Sequence, residues 1–158
     1  MNAAHQHLVI NHFPIIALIL GVLVLLIGIL AKSSVTRRVG LLLFLIAGIT
    51  AMVAMSTGEG AEEIVEHMPN ADHDLIHEHE EHAEAMMPFM WGIIALSLVA
   101  MFLEWKKKSM AMIASITVLL VGMIATYFAR EVGTSGGEIS HPEIRKGFKV
   151  EQNDHDEY

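Results

Sequence analysis

The sequence predicts an all-α protein, an integral membrane four-helix bundle. More than half of its residues are hydrophobic (53%), and a helix needs about 20 apolar residues to cross ~30 Å of hydrocarbon. Four segments of suitable length contain no charged residue: Phe13–Ala31, Val39–Met55, Met86–Leu103 and Ser109–Ala129. Because these segments are apolar on all sides, and not along one stripe as in a soluble helix, each predicts a membrane-spanning helix.

The second and third helices are expected to extend beyond their apolar segments. Ala61, Ile64 and Val65 keep a helical spacing among acidic residues, and Asp72 is a candidate N-cap for the third helix. The two extensions predict an antiparallel hairpin outside the membrane. Within a bundle of residues 1–130, the helices are expected at about 13–31, 39–67, 73–104 and 109–129, with residues 131–158 as an outer polar C-terminal tail.

The basic residues are unevenly distributed, and their positions indicate the orientation of the chain. Lys32, Arg37 and Arg38 occupy the loop between the first two helices, and Lys106–Lys108 occupy the loop between the last two. The positive-inside rule places both loops in the cytoplasm, so the helix alternation places both termini on the opposite side. The sequence therefore predicts a multi-pass protein of the bacterial inner membrane with periplasmic termini.

With this orientation, all ten histidines and nearly all the acidic residues lie on the periplasmic side. Any chemistry of the protein is therefore expected to face that side. The absence of cysteine excludes disulfides, thiolate metal sites and iron–sulfur ligation. An acidic outer face argues against nucleic acid as a partner, and the lipid bilayer is the expected environment.

Two histidines stand where a polar ring needs a partner. His12 lies where the first helix enters apolar surroundings, and His79 lies on the helix face that carries Ile76, Ala83 and Met86. Two imidazoles from different helices of a four-helix bundle can be the axial ligands of haem b, so we predict His12 and His79 as ligands. The alternatives are an interfacial His12 bonded to a nearby helix end, and a hydrogen bond from His79 to a glutamate that fixes the hairpin.

Carboxylates near these histidines suggest a transition metal as the other possible cofactor. Glu62 and Glu63 lie opposite the start of the third helix in the predicted hairpin, and His141 follows the last helix at the same end. With His12 and His79, these residues are candidate ligands of iron, copper or zinc. Arg145 is a candidate partner of Glu62, Glu63 or a haem propionate. As an alternative, the segment around His141 and Arg145 is a short capped amphipathic turn on the membrane.

No catalytic motif accompanies these residues. A zinc protease needs His-Glu-x-x-His on one helix, but His77 and His79 are followed four residues later by Glu81 and Ala83. There is no glycine-rich loop with phosphate-binding spacing. The sequence therefore predicts, at most, the role of a redox subunit of an enzyme.

Several short motifs support a family resemblance. They are His12-Phe-Pro-Ile, Thr57-Gly-Glu-Gly-Ala-Glu-Glu63, Ile76-His-Glu-His79-Glu80 with Ala83, and Gly136-Gly-Glu-Ile-Ser-His141-Pro-Glu-Ile-Arg145. With these motifs, over most of Leu8–Arg145, the chain resembles a bacterial four-helix membrane family catalogued as domain of unknown function 2231. The family has no settled activity. Some similar modules are joined to Rieske-type redox domains, so the resemblance implies an electron-transfer neighbourhood.

The leading functional prediction is an outward-facing haem- or metal-binding module. Such a module would serve as a cytochrome b-like electron-transfer subunit beside a respiratory or redox membrane complex. One alternative is a non-catalytic structural or assembly subunit of a larger membrane complex. Another is a periplasmic metal or pH sensor, since histidines beside acids titrate near neutral pH.

Overall fold

The computed structural model describes residues 1–68 and 71–148, which form helices joined by short turns. Within these residues, four helical stretches are long and apolar enough to cross a membrane, α1 and α2 together forming the first. The elements are α1 Ala3–Ile10, α2 His12–Leu30, α3 Ser34–Glu66, α4 His73–Trp105, α5 Ala111–Ser140 and a 3-10 turn at Pro142–Ile144. The protein is therefore all-α, with four helices suited to a multi-pass membrane protein.

The first long helix begins earlier than the sequence predicted. α1 and α2 are separated only at Asn11, which keeps right-handed helical dihedral angles (φ −59°, ψ −25°). The interruption follows from Pro14, whose nitrogen has no hydrogen to donate to the carbonyl of Ile10. The helix expected at 13–31 corresponds to α2, His12–Leu30, and the helical stretch continues backward from it to Ala3.

The last helix ends later than the sequence predicted. α5 continues to Ser140, although residues 131–140 were expected to begin the polar tail. The glycine-rich composition suggested a loop, but packing against α4 outweighs this weak local preference. A Cβ at Gly136 would lie 3.0 Å from Cε1 of His79, so glycine lets the two helices approach closely here. Residues 149–158 of the predicted tail lie outside the described residues.

Side-chain caps define the starts of α3 and α4. Ser33 Oγ accepts a hydrogen bond from the N–H of Thr36 at 3.3 Å. Asp72 Oδ1 accepts one from the N–H of Leu75 at 3.3 Å, as the sequence predicted for this residue. Such caps satisfy backbone donors that the first helical turn leaves unpaired.

Phe44 lies at the centre of the bundle, where α2, α3 and α5 meet. α2 packs along α3 and α4 along α5, while α3–α4 and α2–α5 contacts close the ring of helices. The Phe44 ring is fully buried, and a Cβ at Gly21 or Gly122 would lie 3.2 Å or 2.5 Å from it. Between lipid-embedded helices, small residues of this kind allow the close contact that drives association.

The two ends of the bundle differ in chemistry. The histidine end contains α1, the start of α4 and the end of α5, whereas the turn end contains residues 31–33 and 106–110. At the turn end, Arg37 and Glu104 are 7% and 3% exposed. Arg37 Nε donates to one carboxylate oxygen of Glu104 and Nη2 to the other at 3.1 Å. This bidentate pair joins the start of α3 to the end of α4.

Replacing Gly122 with alanine is expected to destabilise the bundle. The new Cβ would overlap the Phe44 ring, and overpacking of this kind costs about 1–3 kcal/mol. Thermal denaturation in detergent, followed by circular dichroism, measures the loss. Gly92→Ala is the matched control because nothing lies within 4 Å of a Cβ there. Equal melting temperatures for the two variants would contradict the proposed packing.

Removing one residue of the buried ion pair is expected to lower the free energy of unfolding by more than removing both residues does. Glu104→Ala leaves the buried charge of Arg37 uncompensated, which typically costs about 3–5 kcal/mol. The double variant Arg37→Met, Glu104→Met should recover much of that loss in the same denaturation assay. Arg130→Gln is the control, since the exposed pair that Arg130 forms with Glu131 contributes about 0–1 kcal/mol.

Candidate ligand-binding site

A cavity of about 410 Å³ lies between the helices at the histidine end. All five helices contribute to its wall, and its volume falls in the range of about 300–1,000 Å³ typical of small-molecule sites. The wall is mostly apolar and includes Leu8, Ile15, Met55, Ile76, Met86 and Val132. A ligand in this cavity would therefore be held mainly by apolar contacts, with a few polar groups to orient it.

Two half-buried imidazole rings lie close together in this cavity. His7 of α1 and His79 of α4 have ring centres 6.4 Å apart, with their planes at 82° to each other. The two side chains come from helices that are far apart in sequence. The fold therefore brings together a pair of aromatic nitrogen donors.

The hydrogen bonds of His7 determine which ring nitrogen carries the proton. Its Nδ1 lies 3.0 Å from the carbonyl oxygen of Ala54 and 3.2 Å from the hydroxyl of Thr57. Because a carbonyl oxygen can only accept, Nδ1 must be the protonated nitrogen. In the neutral ring, Nε2 of His7 therefore has a free lone pair.

The same reasoning applies to His79. Its Nδ1 lies 2.9 Å from the hydroxyl of Ser135, and that hydroxyl lies 3.0 Å from the carbonyl of Glu131. When Ser135 donates its hydrogen to the carbonyl of Glu131, its oxygen accepts the Nδ1 hydrogen of His79. Both His7 and His79 thus use Nδ1 to fix the ring and keep Nε2 available as an acceptor or ligand.

Both histidines favour the neutral form that ligand binding requires. They lie outside the predicted spanning segments, His7 before Phe13 and His79 before Met86. Burial lowers the pKa of His7, and a backbone hydrogen bond with Ala54 only partly opposes this effect. Burial is also the main cause that lowers the pKa of His79, followed by the positive charge that His7 would carry when protonated.

Glu62 adds a carboxyl group to the cavity wall. It follows the charge-free segment of α3, and its pKa is raised by desolvation and then by the negative charges of Glu80 and Glu66. The positive charge of a protonated His77 lowers the pKa of Glu62 by a smaller amount. Glu62 therefore holds a proton more readily than an isolated glutamate.

His12, predicted as a ligand with His79, has a different environment. It is exposed and lines the cavity, and its Nδ1 lies 3.3 Å from the carbonyl oxygen of Leu8 in α1. This contact matches the alternative of an interfacial histidine bonded to a helix end. The ring that approaches His79 is that of His7.

The other predicted ligands divide between the cavity and the surface. Glu62 and His141 belong to the cavity wall, whereas Glu63 is exposed and does not belong to that wall. His141 is also largely exposed, with Nδ1 3.0 Å from a carboxylate oxygen of Glu143. Within residues 1–68 and 71–148, no group of three or more His, Asp or Glu side chains is arranged to hold a metal ion.

Arg145 binds a partner that the sequence did not indicate. Its Nε donates to the carbonyl of Glu138 at 2.7 Å, and Nη1 donates to the carboxylate of Asp72 at 3.3 Å. The expected pairing with Glu62 or Glu63 is therefore replaced by one with Asp72. This contact ties the segment after α5 to the start of α4.

Sequence reasoning missed His7 because it began the first helix at Phe13. With the helix continued backward, His7, Asn11, Pro14 and Leu18 fall on one face, at spacings of four, three and four residues. Pro14 and Leu18 are buried, and His7 and Asn11 line the cavity. This stripe was the available signal.

Comparisons of the chain with models of protein families, with curated proteins and with solved structures found no match. The resemblance to the family of domain of unknown function 2231 therefore stays a prediction.

Acidification is expected to destabilise the ligand-free protein through His7 and His79. Since their pKa values in the folded state lie below the ordinary 6.5, the unfolded chain binds protons more readily. The free energy of unfolding contributed by the two rings is present above pH 6.5 and is lost as the pH falls toward the lowered pKa values. Glu62, with a raised pKa, acts in the opposite direction.

Thermal denaturation between about pH 7.5 and pH 5.5 measures this effect. The double variant His7→Gln, His79→Gln should lose less stability over this range than the wild type. His77→Gln, which changes an exposed histidine, is the control and should behave like the wild type. An unchanged pH dependence in the double variant would show that the two rings are not the groups responsible.

Proposed function

We propose that the chain is a membrane module that binds haem or a transition metal between His7 and His79. The observation that carries this proposal is the spacing of the two rings. A metal–nitrogen bond of about 2 Å, with ~1 Å more to the ring centre, separates two imidazoles on opposite sides of one ion by roughly 6 Å. The ring centres of His7 and His79 are 6.4 Å apart.

The hydrogen bonds of the two rings support the same proposal. Metal-bound histidines usually donate their second ring N–H to a carbonyl, carboxylate or other acceptor, which fixes the tautomer and the ring orientation. The Nδ1–H of His7 points to the carbonyl oxygen of Ala54 at 3.0 Å. The Nδ1 of His79 lies 2.9 Å from the hydroxyl oxygen of Ser135. With Nδ1 protonated in this way, Nε2 of each ring carries the lone pair through which it would bind a metal.

Haem b is the favoured cofactor because two imidazoles are sufficient axial ligands for its iron. A structural zinc ion takes four ligands, and Glu62 and His141 of the cavity wall are the residues that would have to complete such a set. The apolar wall suits a porphyrin, and covalent c-type attachment would need a Cys-x-x-Cys-His motif, whereas the chain has no cysteine. A haem held in this way would supply electron transfer, beside a respiratory or redox membrane complex.

We also propose that the histidine end faces the periplasm of a bacterial inner membrane, with both termini there. The basic residues of the turn end support this orientation through the positive-inside rule. α3 and α4 each contain 33 residues, or about 50 Å of helix, against ~30 Å of hydrocarbon. Their ends would then project from the membrane as a hairpin, with the cavity of the histidine end near the base of that hairpin.

The absorption spectrum of the purified protein, with haemin added and the unbound haemin removed if needed, tests the proposed function. We expect a Soret band that His7→Ala and His79→Ala each shift or weaken, because each would remove one of the two imidazoles that hold the iron. His12→Ala and His77→Ala are controls that should retain the band, and circular dichroism verifies that each variant is folded.

A wild-type protein with no Soret band and no stoichiometric metal by elemental analysis would overturn the proposal. The structural or assembly role, or the sensor role, would then take its place. A changed band in His12→Ala, with an unchanged band in His7→Ala, would instead restore the ligand pair that the sequence predicted.

A further inference from the structure

The turn end of the bundle presents exposed positive charge. Glu104 is the only acidic residue between Glu84 and Glu131, and no acidic residue precedes Glu59. Since Glu104 is buried against Arg37, its charge is neutralised inside the protein. The exposed charges of this end are those of Lys32, Lys106, Lys107 and Lys108, with Arg38 partly exposed.

The buried ion pair brings these charges together. Arg37 stands in the first turn of α3, directly after the α2–α3 turn, and Glu104 stands directly before the α4–α5 turn. Their bidentate hydrogen bonds therefore hold the turn of Lys32 beside the turn of Lys106–Lys108. We call these two segments, residues 31–33 and 106–110, the cationic turns.

Both cationic turns hold a lysine in a left-handed backbone conformation. Lys32 and Lys107 each have φ 51°, in the position after a helix end that glycine usually fills because it has no Cβ. A backbone N–H then bonds back to the helix in each turn. These bonds run from Ser33 to Gly28 at 2.9 Å and from Lys108 to Leu103 at 3.0 Å. Glycine would suit this backbone geometry at least as well as lysine, so the two side chains can be removed without straining the turns.

An aromatic pair indicates the depth at which the charges lie. The Lys106 ammonium is 4.9 Å from the ring centre of Trp105 and 5.9 Å from that of Phe102. Trp105 is 70% exposed at the end of an apolar helix. Exposed tryptophans at such ends are typical of the membrane–water interface, where lipid headgroups lie.

We infer that the cationic turns form a binding site for the headgroups of anionic phospholipids. Lysine ammonium groups on flexible stems at the interface attract phosphate and other headgroup anions, at about 1 kcal/mol for each basic residue, or roughly fivefold in affinity. Four exposed lysines without an exposed acidic neighbour provide the matching charge. This inference is independent of the proposed cofactor, which lies at the opposite end of the bundle.

Quenching of Trp105 fluorescence by brominated lipids tests the inference. In the background Trp91→Phe, Trp105 is the only tryptophan of the chain, which has two. We expect brominated phosphatidylglycerol to quench Trp105 more strongly than brominated phosphatidylcholine in mixed vesicles. Equal quenching by the two lipids would overturn the inference.

The double variant Lys32→Gly, Lys107→Gly separates charge from backbone structure. It removes two charges but places glycine where the backbone favours it, so its melting temperature in neutral detergent should equal or exceed that of the wild type. Its preference for phosphatidylglycerol should fall about 25-fold, at roughly fivefold per lysine. Lys32→Arg with Lys107→Arg keeps the charges and should keep the preference. Lys146→Gln, at the histidine end, is the control for net charge.

An unchanged lipid preference in the glycine variant would overturn the inference. A lower melting temperature in neutral detergent with the preference retained would do the same, since it assigns the lysines a structural role. Sodium phosphate should not abolish the preference more than sodium chloride does at equal ionic strength. If it does, the turns bind free phosphate and the lipid assignment is wrong.

Discussion

The structure depends on close contact between long apolar helices, which would have little hydrophobic reason to associate in a bilayer. Lipid tails are as apolar as the helix surfaces, so contact and packing have to provide the attraction. Phe44 fills the space between Gly21 and Gly122, and Gly40 lies against the backbone of Leu25. These contacts bring α2, α3 and α5 together near the centre of the bundle. α1 packs against α3, and α4 packs along α5 and α3, so the helices of the site contact this arrangement directly.

The cavity at the histidine end combines an apolar wall with a small number of fixed polar groups. Burying an imidazole costs free energy unless its polar atoms form hydrogen bonds. In each of the two rings, Nδ1 has such a partner. Ala54 accepts the Nδ1 hydrogen of His7, and Ser135 accepts that of His79. Burial favours the neutral state of both rings, in which each Nε2 would be able to bind the proposed cofactor.

The two ends of the bundle manage charge in different ways. At the turn end, Arg37 and Glu104 neutralise each other in the interior, so that only lysines and Arg38 contribute charge to the surface. At the histidine end, Arg145 and Asp72 join the segment after α5 to α4 near the surface. Since the proposed cofactor site and the proposed lipid site lie at opposite ends, the effect of a variant at one site can be measured without disturbing the other.

The sequence by itself determined the four apolar helices, the Asp72 cap and the place of His79 on an inward face, because these follow from composition and local spacing. It could not determine that α1 continues into α2 through Pro14, or that glycine-rich residues 131–140 are helical, since packing outweighs local preference there. Only the tertiary structure brought His7, and not His12, against His79. It alone paired Arg37 with Glu104, because contacts between distant segments depend on how whole helices pack.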